Sequence, residues 1–269
     1  MLDALIGGLG ASVPVLLRGS RSDELTTRFV NVWERCLALP VSDVTAEPIT
    51  LELNEPNFED PTASGTKRAE RTVTGDDLGP LLVSGTQTIT SALIGAQRGN
   101  LLMFHAGAVS HPVTGASVVF VARGGTGKTT LSRTLGTRFG YLTDETAGIT
   151  LDGSILAYPK PLSIRDPEVP HKVETGPSEL ALVQAHPAPF VTKIILLDRS
   201  PDDAPWIEEL GLLDALCALT AESSSLAALD RGLHRLADLI ERIGPITRWH
   251  YAEAADIIDP LAELLEGAA

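Results

Sequence analysis

The stretch Ser117-Val118-Val119-Phe120-Val121-Ala122-Arg123-Gly124-Gly125-Thr126-Gly127-Lys128-Thr129-Thr130-Leu131-Ser132 decides the fold. Its first part, Ser117–Ala122, is a short apolar run of β-branched and aromatic side chains, as in a buried strand. Lys128 to Arg138 reads as a helix, with Leu131 and Leu135 on its inner face and Gly140 just past its end. A glycine-rich loop joins the two. Glycine lets main-chain N–H groups curl round a polyanion, and the helix N-terminus adds its positive dipole end. Arg123, Gly124, Gly125, Thr126, Gly127, Lys128, Thr129 and Thr130 are therefore candidates to bind a nucleoside triphosphate such as ATP. Lys128 suits the β- and γ-phosphates, and the Thr129 hydroxyl suits Mg²⁺. The Walker A pattern asks for glycine six residues before the lysine. Ala122 stands there instead, and it fits if its φ is negative.

Just beyond, Tyr141-Leu142-Thr143 reads as a strand ending at Asp144-Glu145. Carboxylates at the C-terminal end of a strand beside the loop can face bound phosphates. Either can hold Mg²⁺, and one can accept the proton of an attacking hydroxyl. The bland reading of the pair is a solvated turn. Upstream, His105 separates two apolar strand candidates, Leu101–Phe104 and Ala106–Ser110, and by itself reads as a satisfied core histidine. The other histidines show no metal-ligand spacing, which argues against zinc. Arg123 in the loop and Arg165, after Tyr158-Pro159-Lys160-Pro161-Leu162, could offset the charge that develops in phosphoryl transfer. Their alternative is to balance an acidic surface.

Farther out, residues 22–39 read as a helix, with Leu25, Phe29, Trp33 and Leu37 on one face. Ile49–Leu53 alternates like a strand, and 54–80 reads as loop with one short hairpin. A helix is expected over 86–98, stopped by Gly99-Asn100. Gly148–Leu151 and Ser154–Tyr158 flank Asp152-Gly153 as a hairpin with a type I′ turn. Val191–Leu197 is a later core strand. The last third reads as helical: Leu226 to Ile243 carries an apolar stripe capped by Ser223–Ser225 and ended by Gly244-Pro245, and 252–266 is a final amphipathic segment with Pro260 starting or kinking part of it.

The chain has 269 residues, 43% of them hydrophobic, which suffices for one large domain or two small ones. Its formal net charge of −14 repels phosphate backbones and anionic lipid, so neither nucleic acid nor membrane is an expected partner. Cys36 and Cys217 lie among apolar residues and read as buried free thiols of a reducing compartment. The N-terminal stretch lacks a basic region, and no apolar run is long enough to span a bilayer, so the default location is the cytoplasm.

Phe104-His105-Ala106-Gly107-Ala108-Val109, the segment Val119 to Ser132 and Leu142-Thr143-Asp144-Glu145 together resemble the HPr kinase/phosphoenolpyruvate carboxykinase superfamily, over about residues 100–165. The resemblance implies an α/β fold of α+β character. It carries a mixed, antiparallel-rich sheet, a P-loop and flanking helices. It implies Mg²⁺-dependent transfer of the ATP γ-phosphoryl to a hydroxyl, such as a serine of a peptide or small protein or a small metabolite, and it allows a homo-oligomer. By the resemblance Asp144 acts at the metal and as proton acceptor, Lys128 and His105 join the catalytic set, and Arg165 follows a segment like the family's Pro-rich strand end. Glu145 stands where a second Asp is usual. The expected organisation is an N-terminal α+β subdomain at 1–100, a P-loop core at 101–200 and a C-terminal helical segment at 201–269. Two other readings compete: a non-catalytic ATP-binding regulatory module, and a decarboxylating carboxykinase. The short chain and the lack of a spare Lys–His pair for a second metal argue against the latter. The acceptor surface is expected among the loops 54–80 and 166–190.

Overall fold

Period-two alternation at Ile49-Thr50-Leu51-Glu52-Leu53 puts every second side chain in a core, and this strand is the middle of a five-stranded sheet. The computed structural model describes residues 3–38, 46–56, 65–200 and 205–267. The fold is mixed α/β, with mixed sheets and six α-helices among those residues. The chain forms two units. One takes Met1–Ala96 and Lys160–Glu179, the other Gln97–Pro159 and Leu180–Ala269. Residues 160–179 thus go with the N-terminal stretch, a return that the three sequence segments do not contain.

The first unit begins with a hairpin, β1 (Ala4–Gly8) and β2 (Ala11–Arg18), followed by α1 (Ser22–Val32), β3 (Ile49–Leu53), β4 (Lys67–Ala69), β5 (Thr72–Gly75) and α2 (Leu78–Ala96). The sheet order is β1-β2-β3-β5-β4. The helix expected over 22–39 stops at Val32, and residue 39 lies outside the described residues. Main-chain bonds to β1 win after that point: Gly7 N donates to Cys36 O at 2.7 Å and Ala38 N to Leu5 O at 2.8 Å. The second helix starts eight residues earlier than expected. Gly79, Pro80 and Gly85 mask its start, yet Pro80 suits a first helical turn, and at Gly85 a Cβ would lie 2.9 Å from Leu51 Cδ1. The expected short hairpin is β4–β5; residues 57–64 of that region lie outside the described residues.

The second unit holds the decisive stretch. It runs β6 (Leu102–Ser110), β7 (Ala116–Val121), α3 (Lys128–Leu135), β8 (Gly140–Thr143), β9 (Thr146–Ile149) and β10 (Ile155–Leu156). β11 (Leu162–Arg165) and β12 (Lys172–Thr175) then pair within the first unit. The second unit resumes with β13 (Val183–Gln184), β14 (Phe190–Arg199), β15 (Trp206–Glu209), α4 (Leu212–Ala221), β16 (Ser223–Ser224), α5 (Gly232–Ile243), β17 (Thr247–Tyr251) and α6 (Ala255–Gly267). Its sheet has ten strands. The β7–β14, β14–β17 and β8–β13 pairings are parallel and the others antiparallel.

The sheet is covered on both faces. Val119, Val121, Ile194 and Leu196 pack with α4 and α5, whereas Val118, Phe120, Ile195 and Leu197 pack with α3 and α6. Two-sided burial is why Ser117–Ala122 reads as a continuous apolar run.

Several local expectations change. β6 is continuous through His105. α3 ends at Leu135, capped at Gly136, short of the expected Arg138. At Asp152-Gly153 only Gly153 has positive φ (93°), so the turn is not type I′; a three-residue loop with glycine in the left-handed region replaces it. Ser223 and Ser224 lie in a strand rather than capping a helix. Leu226–Ala228 is a 3₁₀ turn, and the helix begins only at Gly232. Leu226 and Leu229 are buried all the same, so the apolar stripe continues across a change of backbone. Two further strands, β15 and β17, also stand where the last third reads as helical. Pro260 sits inside α6. Cys36 is buried, but Cys217 is exposed on α4; both are free thiols.

Candidate active site

The site forms where β6 changes partners. Toward its C-terminal end β6 pairs with β7 and β8, and toward its N-terminal end with β16 and β9. The exchange falls at His105–Ala106. There Ala122 N donates to His105 O at 3.3 Å, His105 N to Glu222 O at 2.8 Å, and Ala106 N to Glu145 O at 3.1 Å. β8 and β9 run along the same side of β6, with Asp144-Glu145 as the break between them. β7 and β8 are both antiparallel to β6, so they point the same way, and their C-terminal ends lie at one end of the sheet. The acidic pair therefore follows a strand two places from β7, about 10 Å away by strand spacing, and not the adjacent strand.

The loop has the backbone that its sequence demands. Gly125 (φ 84°) and Gly127 (φ 100°) occupy the left-handed region, while Ala122 does not, so alanine is tolerated there. A Cβ added at Gly124 or Gly125 would meet nothing within 4 Å, so the space above the loop is open. The N–H groups in the first turn of α3 have no acceptor within the helix. Thr130 is exposed on that turn. Lys128 lies over the inside of the loop. Its Nζ donates to Ala122 O at 2.6 Å and Arg123 O at 2.8 Å. Burial pushes its pKa down to about 8, against the pull of Glu222, Asp144 and Glu145.

Asp144 meets the loop's helix directly. Thr129 Oγ1 donates to Asp144 Oδ2 at 2.9 Å, and Tyr141 OH to Oδ1 at 3.0 Å. Asp144 is buried and Glu145 half-buried. The β8–β9 break is shaped by Thr143 Oγ1, which accepts from both Glu145 N and Thr146 N at 3.2 Å. His105 is not a sealed core residue, since its side chain is 41% exposed. Its Nδ1 lies 3.8 Å from Glu222 Oε2, and Arg123 Nε lies 3.7 Å from Glu222 Oε1. Burial and Lys128 lower the His105 pKa, while Glu145 and Glu222 oppose them. Tyr251, at the end of β17, donates its hydroxyl to Thr126 O, and burial raises its pKa to about 12.

The structure thus brings together the glycine loop, Lys128, Thr129, Asp144, Glu145, Arg123 and His105. Arg165 belongs to the first unit, exposed at the end of β11 opposite Lys172. Sequence reading missed Glu222, Tyr141 and Tyr251. Tyr141 begins the strand read as ending at Asp144 and was legible by proximity. The other two carry no motif. Among the described residues no group of three or more His, Cys, Asp or Glu is placed to hold a metal, and no helix is long and apolar enough to cross a membrane.

No protein-family model matches the chain, and neither does any curated protein. Among solved structures the chain is similar to the Hpr(Ser) kinase/phosphatase from Coxiella burnetii, at 12% identity and a TM-score of 0.31. That match covers 61% of this chain and 98% of the other.

Proposed function

We propose that the second unit binds ATP with Mg²⁺ over the glycine loop and transfers the γ-phosphoryl group to a hydroxyl of a peptide, small protein or small metabolite. One observation carries this reading: a buried carboxylate, Asp144, is hydrogen-bonded to the hydroxyl of Thr129, the residue after Lys128, below an open loop of left-handed glycines. Main-chain N–H groups of Gly124 to Thr130 would hold the phosphates, with Lys128 turning from the Ala122 and Arg123 carbonyls to the anion. Magnesium takes oxygen ligands, often one or two protein groups plus phosphate and water, and Thr129, Asp144 and Glu145 form such a donor set. When bound, the ion offsets phosphate charge. Asp144 would accept the acceptor's hydroxyl proton, Arg123 would offset developing charge, and His105 would border the acceptor position.

A second reading, nucleotide binding without transfer, has one observation behind it. Both Asp144 oxygens are already engaged, as befits a carboxylate that holds rather than abstracts. Incubation with γ-labelled ATP, Mg²⁺ and hydroxyl-bearing peptides and metabolites, read by mass spectrometry, separates the two. The kinase reading expects an acceptor that gains one phosphoryl group, with Asp144→Asn losing at least about 100-fold in rate while still binding ATP. Nucleotide binding without any phosphorylated product would favour the second reading, and absence of binding would remove both.

A further inference from the structure

Glu222 stands in this site with no part in the scheme above. Its main-chain carbonyl accepts the His105 N–H, so its place is fixed without its side chain. The carboxylate is only 17% exposed, and it lies 3.7 Å from the Arg123 guanidinium and 3.8 Å from the His105 imidazole. Of the three carboxylates acting on Lys128, Glu222 acts most strongly. One anion therefore faces the nitrogen-bearing groups that would otherwise turn to a polyphosphate. Its grip is loose: both separations exceed a hydrogen bond, and Arg123 is 87% exposed. Pairs of this kind exchange partners readily.

We infer that Glu222 is the resident counter-anion of the loop, holding Arg123 when no polyphosphate is bound and competing with an incoming one, so that it sets how tightly nucleotide is held. The inference rests on the nucleotide-binding reading above. A carboxylate left beside a bound triphosphate adds like-charge repulsion, and one that keeps Arg123 withholds a cation. Glutamine at this position preserves shape and the main-chain bond while removing the charge.

The test is calorimetric titration of the whole chain with MgATP. Glu222→Gln should bind roughly three- to tenfold more tightly than wild type, and Glu222→Asp, which keeps the charge, should stay within about twofold. In an Arg123→Ala background the gain from Glu222→Gln should shrink, because the cation being contested is gone. Thermal melting without nucleotide checks that each variant folds, and Glu222→Ala repeats the test with a second uncharged side chain. Unchanged or weaker MgATP binding by folded Glu222→Gln or Glu222→Ala overturns this inference alone. A wild-type chain that binds no MgATP overturns the nucleotide reading and this inference with it.

Discussion

Lys128 poses the sharpest problem for a single residue. An ammonium 6% exposed is costly, and burial pushes its pKa down to about 8. In an unfolded chain lysine titrates near about 10.4. Between those values the unfolded chain keeps a proton that the folded chain has released. Lys128 therefore costs stability in full below about pH 8, and the cost fades as pH rises toward about 10.4. A bound polyanion on Nζ would restore the charge. Binding of ATP near about pH 8.5 should accordingly take up a proton, and binding near about pH 6.5 should not, since the amine is already charged there. Calorimetry in buffers of different ionisation enthalpy reads this directly; equal proton uptake at both pH values would show that nucleotide does not put a proton on Lys128.

At the scale of elements, the strand–loop–helix and the acidic pair were legible because their chemistry is local. Glycines at 125 and 127, the lysine after them and the carboxylates after Thr143 declare themselves within a few residues. Glu222 and Tyr251 were not, because β16 and β17 bring them in from about a hundred residues away, and each arrives at the end of a short element with no motif. The helix expected from the leucine stripe over 226–243 forms only from Gly232, because a 3₁₀ turn can bury Leu226 and Leu229 as well as a helix can, and within the helix Leu233 of the stripe is exposed. The packing of elements against the loop can be probed in two places. Tyr251→Phe removes the hydroxyl that β17 donates to Thr126 O. We expect about 1 kcal/mol lower stability and several-fold weaker ATP binding, measured by denaturant melting and titration. Gly107, on β6, lies under α3, where a Cβ would come 2.1 Å from Phe120 Cε2 and 2.6 Å from Ser132 Oγ. Gly107→Ala should destabilise by roughly 1–3 kcal/mol in the same melts. A neutral result would mean that the Phe120 ring and the Ser132 hydroxyl give way at no cost, and that the packing of α3 on β6 is looser than the contacts imply.

For the whole molecule, charge decides how an anionic cofactor can be held. The chain carries a net −14, but at physiological salt the reach of that field is about 8 Å, so local groups govern affinity. In the site, Lys128 and Arg123 are set against Asp144, Glu145 and Glu222, and burial holds His105 toward its neutral form. The carboxylates outnumber the cations, which is unfavourable for a triphosphate carried alone. A divalent ion reverses the balance, and the Thr129–Asp144 pair offers it oxygen ligands. Chelation of Mg²⁺ should thus weaken ATP binding by at least about tenfold, a loss of about 1.4 kcal/mol. The deficit should narrow in Glu222→Gln, which removes one of the three carboxylates without touching the proposed ligands. ATP binding equally well with and without the ion, in both chains, would show that the loop amides and Lys128 suffice, and the role assigned to the acidic pair would have to be given up.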